Sequence, residues 1–489
     1  TRSCRRTWKT PPEASDELER EAATMNEQPQ SEAEQLRAAW DDLIASLQRA
    51  RDAIDQPELM PPPQNARNLA EGYRYLMGFV HYGIERAFHE DPVRPHFRNA
   101  LSIINRSTID NADAIYFYAP IDGRRQYRLR GRVGDHRHWR GESAIETGPK
   151  APFYLIFEAI EGVMAGDSGS LRELAPGVKV QTGRLDSSAI EVADDGSFEI
   201  LLAPQRPAGY SGNFIATLKV VDRPHPFDPA AAPERYATSI SGRQLFCDWQ
   251  HEEAIHLEID QLGAEGTSPG PLDVPAASAQ LRRCGELVDA QMRYWNEFWT
   301  VLMGTYGARE GSIEGVAFPR NAFNRVNAAS GSTGGGQSTN LYAGGVFELG
   351  PDEALVIENR ISVTPQYIGF QLGNLWGESI EYANNTGSLN GHQMHVDADG
   401  VRRLVVAHRD PGVPNWLDTT GHAEGFLTAR WAYSETPQEQ DWPQVSARKV
   451  AFDEVRAHLP QETPTVSPEQ RREQVRIRQR HVRRRYRVF

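Results

Sequence analysis

Cysteine is scarce and long apolar runs are missing. The three cysteines, Cys4, Cys247 and Cys284, are too far apart in 489 residues to build a disulfide framework. No run of about 18 apolar residues occurs, which argues against a membrane-spanning helix, and no apolar signal segment opens the chain. These absences lead to the expectation of a cytoplasmic protein without a membrane span. Positive charge is also in deficit: 53 Lys and Arg against 66 Asp and Glu leave a net charge of -13, which disfavours nucleic acid or anionic membrane as a general partner. Two enzyme signatures are absent. There is no Gly-x-Ser-x-Gly elbow of a serine hydrolase. The glycine- and serine-rich stretch Ser330 to Thr339 lacks the terminal Gly-Lys-Ser/Thr of a phosphate loop and follows no strong strand, so no nucleotide site is expected there.

What is present points to a mainly β chain. A hydrophobic content of 39% is ample for burial, and the length implies two or three domains. Residues 1–30 are read as a disordered leader, with Met25 as the true start. Residues 31–92 form a helical N-terminal segment. Leu36, Trp40, Leu43, Ile44, Leu47 and Ile54 recur at helical spacing, and Leu69, Tyr73, Leu76, Met77, Val80 and Ile84 share one face of a second helix. After Pro92 the texture becomes β: Ala114 to Ala119, a turn at Asp122-Gly123 and Gln126 to Arg132 predict a hairpin. Arg128, Arg130 and Arg132 fall on one face, read as a solvated sheet surface, with an anion clamp as the functional alternative. Strands recurring without intervening helices make 93–275 a first sandwich. An aromatic-rich linking helix over 276–306 and a second sandwich over 307–435 follow, with strands at 354–361, 367–372, 391–396 and 404–408. In the closing segment 436–489, Ser467-Pro468-Glu469-Gln470 sets up a capping box for an arginine-rich helix. That basic helix is expected to pack on the protein's own acidic surface or on a sister subunit, giving a homo-oligomer.

The densest polar stretch is Leu404 to Trp431. Two apolar runs flank a loop stiffened by Pro411-Gly412 and Pro414-Asn415, which reads as a proline-bounded hairpin. Between the runs lie His408, Asp410, Asn415, Asp418 and His422.

With these residues in view, the chain resembles the bacterial proteins grouped as domain of unknown function 1214. The segments that carry the resemblance are YIGFQLGNLWGESIEY, SLNGHQ, LVVAHRDPGVPNWLDTTGH and GFLTARW, within residues 340–431, and more loosely Tyr116 to Arg132 and GSFEILLAP. The resemblance implies antiparallel β-sandwiches of jelly-roll type with accessory helices. It brings no assigned reaction and no catalytic residues.

Three chemistries suit the polar stretch. His408 or His422 beside Asp410 or Asp418 would make an acid-base pair, with Asn390, Gln393 and Asn415 as hydrogen-bond donors and Trp376, Tyr382 and Trp416 as an apolar wall. That set predicts a pocket for an apolar or aromatic small molecule and tilts toward hydration, elimination, isomerisation or hydrolysis without metal or cofactor. The first alternative is a carbohydrate- or protein-binding module using the same aromatics and amides. The second is a non-haem metal oxygenase. His395-x-Asp397 and His408-x-Asp410 have the spacing of metal ligands, but His422 returns within one hairpin, too soon for the distal histidine of such enzymes. Against all three stands a plain reading in which these residues cap turns and satisfy backbone groups.

Overall fold

The computed structural model describes residues 31–142, 148–162, 166–222, 225–303, 317–328 and 340–486. The expected leader, the stretch Ser330 to Thr339 and the start of the 307–435 segment lie outside them. Helices α1 (Glu32–Asp52) and α2 (Ala66–Phe88) pack on the long helix α3 (Val274–Met303). Ser31 and Glu34 cap α1 reciprocally, and Asn65 caps α2 through the Asn68 amide. The faces they bury differ from the expectation. Trp40, Tyr73 and Met77 are 54, 47 and 59% exposed. The buried faces are built on small residues, Ala39, Ser46 and Ala50 on α1 and Gly72, Gly78 and Gly83 on α2. The cause is close helix approach: a Cβ on Gly83 would stand 2.9 Å from Val288 Cγ2 and 3.0 Å from the Cys284 carbonyl oxygen. On α3 the aromatics Tyr294, Trp295 and Trp299 are buried in the same core.

Two β-sandwiches make up most of the rest, so the fold is mainly β with flanking helices. In the first, one sheet has the order β1 (Arg98–Leu101), β2 (Ala114–Pro120), β10 (Ser239–Leu245), β4 (Tyr154–Ile160), β5 (Gln181–Asp186). It faces β11 (Leu257–Gln261), β3 (Tyr127–Arg132), β6 (Ser197–Ala203), β7 (Asn213–Ala216). The expected hairpin therefore does not form, because β2 and β3 lie in opposite sheets. Gly123 instead donates to the Ala237 carbonyl at 2.8 Å as the chain turns the sandwich corner, and a Cβ there would stand 2.5 Å from that oxygen. Arg128, Arg130 and Arg132 lie on the partly exposed face of β3 and pair with Glu199, Asp260 and Asp195. This is the arrangement of a solvated sheet face.

The second sandwich opposes β12 (Asn340–Glu348), β18 (Glu424–Ala432), β14 (Tyr367–Gly373), β15 (Ser388–Asn390) to β17 (Trp416–Asp418), β16 (Arg402–Ala407), β13 (Glu353–Arg360), β19 (Gln444–Ala451). Here too the hairpin reading fails. β16 and β18 belong to different sheets, and β17 between them pairs parallel to β16. Residues 391–393 form a turn after β15 in place of the expected strand, because Asn390 caps it by accepting from the His392 and Gln393 amides.

The sandwiches meet through the outer faces of the β2–β10–β4 and β18–β14–β15 sheets. Asp113 is the hub of that seam: it accepts from Trp249 Nε1 at 2.9 Å, Asn390 Nδ2 at 2.8 Å and the Tyr367 hydroxyl at 2.7 Å. Helix α4 (Pro468–Arg485), capped by Ser467 and Gln470, straps the seam. Arg478 donates to the Tyr382 and Ser388 carbonyls, while Arg485 donates to the Ala112 carbonyl. The arginine-rich helix thus spends its buried face on the protein's own two sandwiches. Among the described residues no helix is long and apolar enough to cross a membrane.

Candidate functional site

The residues singled out in the sequence go to three different places. At the base of the 404–431 loop, His408 bonds to Thr419 Oγ1 at 2.7 Å and to the Leu349 carbonyl at 3.2 Å. A carbonyl only accepts, so Nε2 carries a proton and donates to Leu349. Asp410 takes a two-pronged grip from Arg471 of α4, at 2.9 and 3.1 Å, and caps Gly412. Asp418 caps Thr420, and burial raises its carboxyl, helped by the charge of Asp410 and opposed by Arg471 and His408. Asn415 ties down both backbone groups of His395 and the Arg403 carbonyl, each at 2.8 Å. Trp416 donates to the Ala407 carbonyl.

The others leave this loop. His422 turns to the helical bundle, where Nε2 meets Glu71 Oε1 at 2.7 Å and Nδ1 the Thr419 carbonyl at 2.7 Å. Burial raises the Glu71 carboxyl, but the hydrogen bond and charge of His422, with the charges of Arg67 and Arg74, together outweigh it and hold the group below its ordinary range. Trp376 is buried in the helical core and donates to the Asn68 carbonyl. Tyr382, Asn390 and Gln393 sit along the seam, where Tyr382 shares a hydrogen bond with Tyr486 and Gln393 accepts from the Asn390 amide. Asp418 is within electrostatic reach of Asp410 and His408, yet none of the imidazole-carboxylate pairs named from sequence forms an ion pair. His395 and Asp397 do approach to 3.5 Å, but Asp397 is already held by Arg403 and Thr463. Among the described residues no group of three or more His, Cys, Asp or Glu is placed to hold a metal ion.

A cleft of about 270 Å³ opens elsewhere, between the two sandwiches. On β4 the residues Leu155, Phe157 and Ala159 fill the first core, so period two sends Tyr154, Ile156 and Glu158 outward to floor the cleft. Tyr367 and Asn340 come from the second sandwich, and Trp139 and Arg184 from the rim of the first. None of the ten residues named from sequence lines it.

Glu158 is its most unusual group. The residue is 5% exposed; Oε1 accepts from Gln181 Nε2 at 2.6 Å, whereas Oε2 has no hydrogen-bond donor among the described residues and stands 3.6 Å from Arg243 Nη2. Asn340 is 8% exposed; its Nδ2 donates to the Tyr342 hydroxyl at 3.1 Å and its Oδ1 has no described partner. The Tyr367 hydroxyl is committed to Asp113 and Asn111, which leaves its ring for the cleft. Burial pushes the Tyr154 hydroxyl up and the His138 imidazole down, so both are held uncharged near neutral pH. Sequence reasoning missed this site, although a signal was there: YLIFEAI is apolar on both faces, as a sheet buried on both sides requires, and Glu158 interrupts it.

Comparison with known proteins bears on the fold. No family model matches the chain, and neither does any curated protein. Among solved structures, it is similar to an uncharacterized protein from Burkholderia cenocepacia, with a TM-score of 0.67 and 26% identity over 86% of this chain and 99% of that one. A protein from Vibrio parahaemolyticus aligns over 82% of this chain and all of its own, at 11% identity and a TM-score of 0.36, too low to carry any weight.

Proposed function

We propose that the protein binds a small molecule, without turnover, in the cleft between its two sandwiches. The observation that carries this reading is a concavity at the junction of the two sandwiches, walled by Trp139, Tyr154 and Tyr367 and floored by the buried carboxylate of Glu158. Small-molecule sites favour the junction of two domains. The volume lies just below the range of about 300–1,000 Å³ typical of drug-sized ligands, which suits a single ring. The acid-base reading has less support, because the histidines and carboxylates of the 404–431 stretch already serve backbone and side-chain partners.

A thermal-shift screen on the wild-type protein and on Ala432→Phe, which places a ring in the cleft, tests the proposal. A ligand present at 100 times its Kd raises stability by about 2.7 kcal/mol. Compounds that stabilise the wild type and not the variant are expected. Equal shifts in both proteins, or no shift with any compound, would sink it.

A further inference from the structure

Helix α2 buries one face in the helical core and shows solvent a second apolar face on the opposite side. Tyr73, Met77, Ile84 and Phe88 are exposed, and the exposed positions that complete their line hold Ala66, Ala70 and His81. All seven fall within roughly 40° of Met77 on a helix of 3.6 residues per turn. Single exposed apolar side chains are ordinary, but a continuous line of them along a whole helix marks a contact surface. Its width narrows the partner. A face that covers a globular core or a lipid surface is broad, whereas a narrow stripe is the seam of one helix packed along another. The spacing, 4-3-4 and again 4-3-4, is an 11-residue repeat, which keeps the seam on one side of a nearly straight helix.

The stripe is also symmetric about Met77: Tyr73 and His81 lie four residues from it, Ala70 and Ile84 seven, Ala66 and Phe88 eleven. With a two-fold axis at Met77, an antiparallel copy of the helix would set Ala66 against Phe88, Ala70 against Ile84 and Tyr73 against His81. Each alanine then meets a large side chain, which is the self-matching that an isologous interface requires. A parallel pair would face alanine to alanine across a gap and crowd the phenylalanines at the other end. The flanking charges agree. Arg67 stands at the amino end of α2, and Glu90 and Asp91 follow its carboxyl end, so the antiparallel pair brings opposite signs together. These groups already pair within the chain, with Glu71, Arg86 and Arg94, so they set direction more than strength. We propose that the exposed face of α2 is a dimer interface, on which a second copy of this chain lays its own α2 antiparallel, with Met77 on the two-fold axis. The arginine-rich α4, the segment expected from the sequence to join subunits, lies outside this contact.

Sedimentation velocity on the 489-residue chain tests the proposal. The wild type is expected to run as a dimer at micromolar concentration. Met77→Glu would bring two carboxylates together on the axis, and it should run as a monomer with native circular dichroism, because the side chain is exposed. Ala70→Lys and Ile84→Glu would each bury a lone charge in the seam and should weaken the dimer about tenfold or more. Combined in one chain, they should return to within a few-fold of wild type, since the introduced amine of one copy then faces the introduced carboxylate of the other. That recovery belongs to the antiparallel register alone, and a misfolded variant could not give it. A dimer that Met77→Glu leaves intact, or a double variant no tighter than either single one, overturns the proposal. A monomeric wild type overturns it as well: if that monomer binds phosphatidylcholine vesicles the face belongs to a lipid surface, and if it does not the face is solvated.

Discussion

The 404–431 loop and the inter-sandwich cleft are opposites. The loop is crowded with imidazoles, acids and amides, and its structure spends them internally: His408 on Thr419 and Leu349, Asp410 on Arg471, Asn415 on His395 and Arg403. The cleft is lined by aromatic and polar side chains drawn from segments between His138 and Ser434, and its floor carries the buried carboxylate of Glu158. Polar density along a chain therefore reports how much backbone needs capping, since loops without regular ladders must satisfy their amides with side chains. Capacity to bind is reported by what remains after that satisfaction.

The contrast can be attacked at several points, the largest effect first. Asn415→Ala removes three hydrogen bonds from a buried site and should cost about 2–4 kcal/mol in urea unfolding, while leaving cleft binding unchanged. A loss of ligand affinity beyond that caused by unfolding would return function to the loop.

The seam provides a pH test. His481 lies between Trp249 and Phe246. Burial, and then the charges of Arg485, Arg484 and Arg478 on its own helix, outweigh a backbone hydrogen bond to Trp249 and hold its imidazole well below the ordinary histidine value of 6.5. The folded state excludes a proton that the unfolded state accepts, so stability falls as pH drops below 6.5, by about 1.4 kcal/mol per pH unit at most. His481→Leu should lose that slope, gaining stability relative to wild type at pH 5 and not at pH 8. Parallel stability-pH curves for the two proteins would contradict the assignment. At the small end, Arg130→Ala on the exposed face of β3 should change stability by no more than about 0.5 kcal/mol. A larger loss would mean that the arginine row is more than solvated surface.

What the sequence made legible follows the range of the physics involved. Capping is local, and the capping box at Ser467, with Pro468 at the first helical position, was readable within four residues. Sandwich texture was readable from period two. Pairing was not, because Asp122-Gly123 has the composition of a tight hairpin and only the distant Ala237 carbonyl decides that the chain crosses to the other sheet. Helix orientation failed for a related reason: large residues were expected inside, but Gly72 and Gly83 mark the buried stripe and Tyr73 and Met77 lie on the surface. The site was hidden because its lining residues, Glu158 and Asn340 among them, belong to different sandwiches and share one cleft only when the sandwiches dock. Glu158 was visible as a lone acid in an apolar strand, and it is the kind of local conflict that marks a functional position.

The most direct test places one variant from each region in the same titration. With the strongest compound from the screen, Glu158→Gln should weaken binding about tenfold or more while His408→Ala binds as the wild type does. The reverse outcome, affinity kept in Glu158→Gln and lost in a folded His408→Ala, would place the site in the loop and contradict the assignment to the cleft.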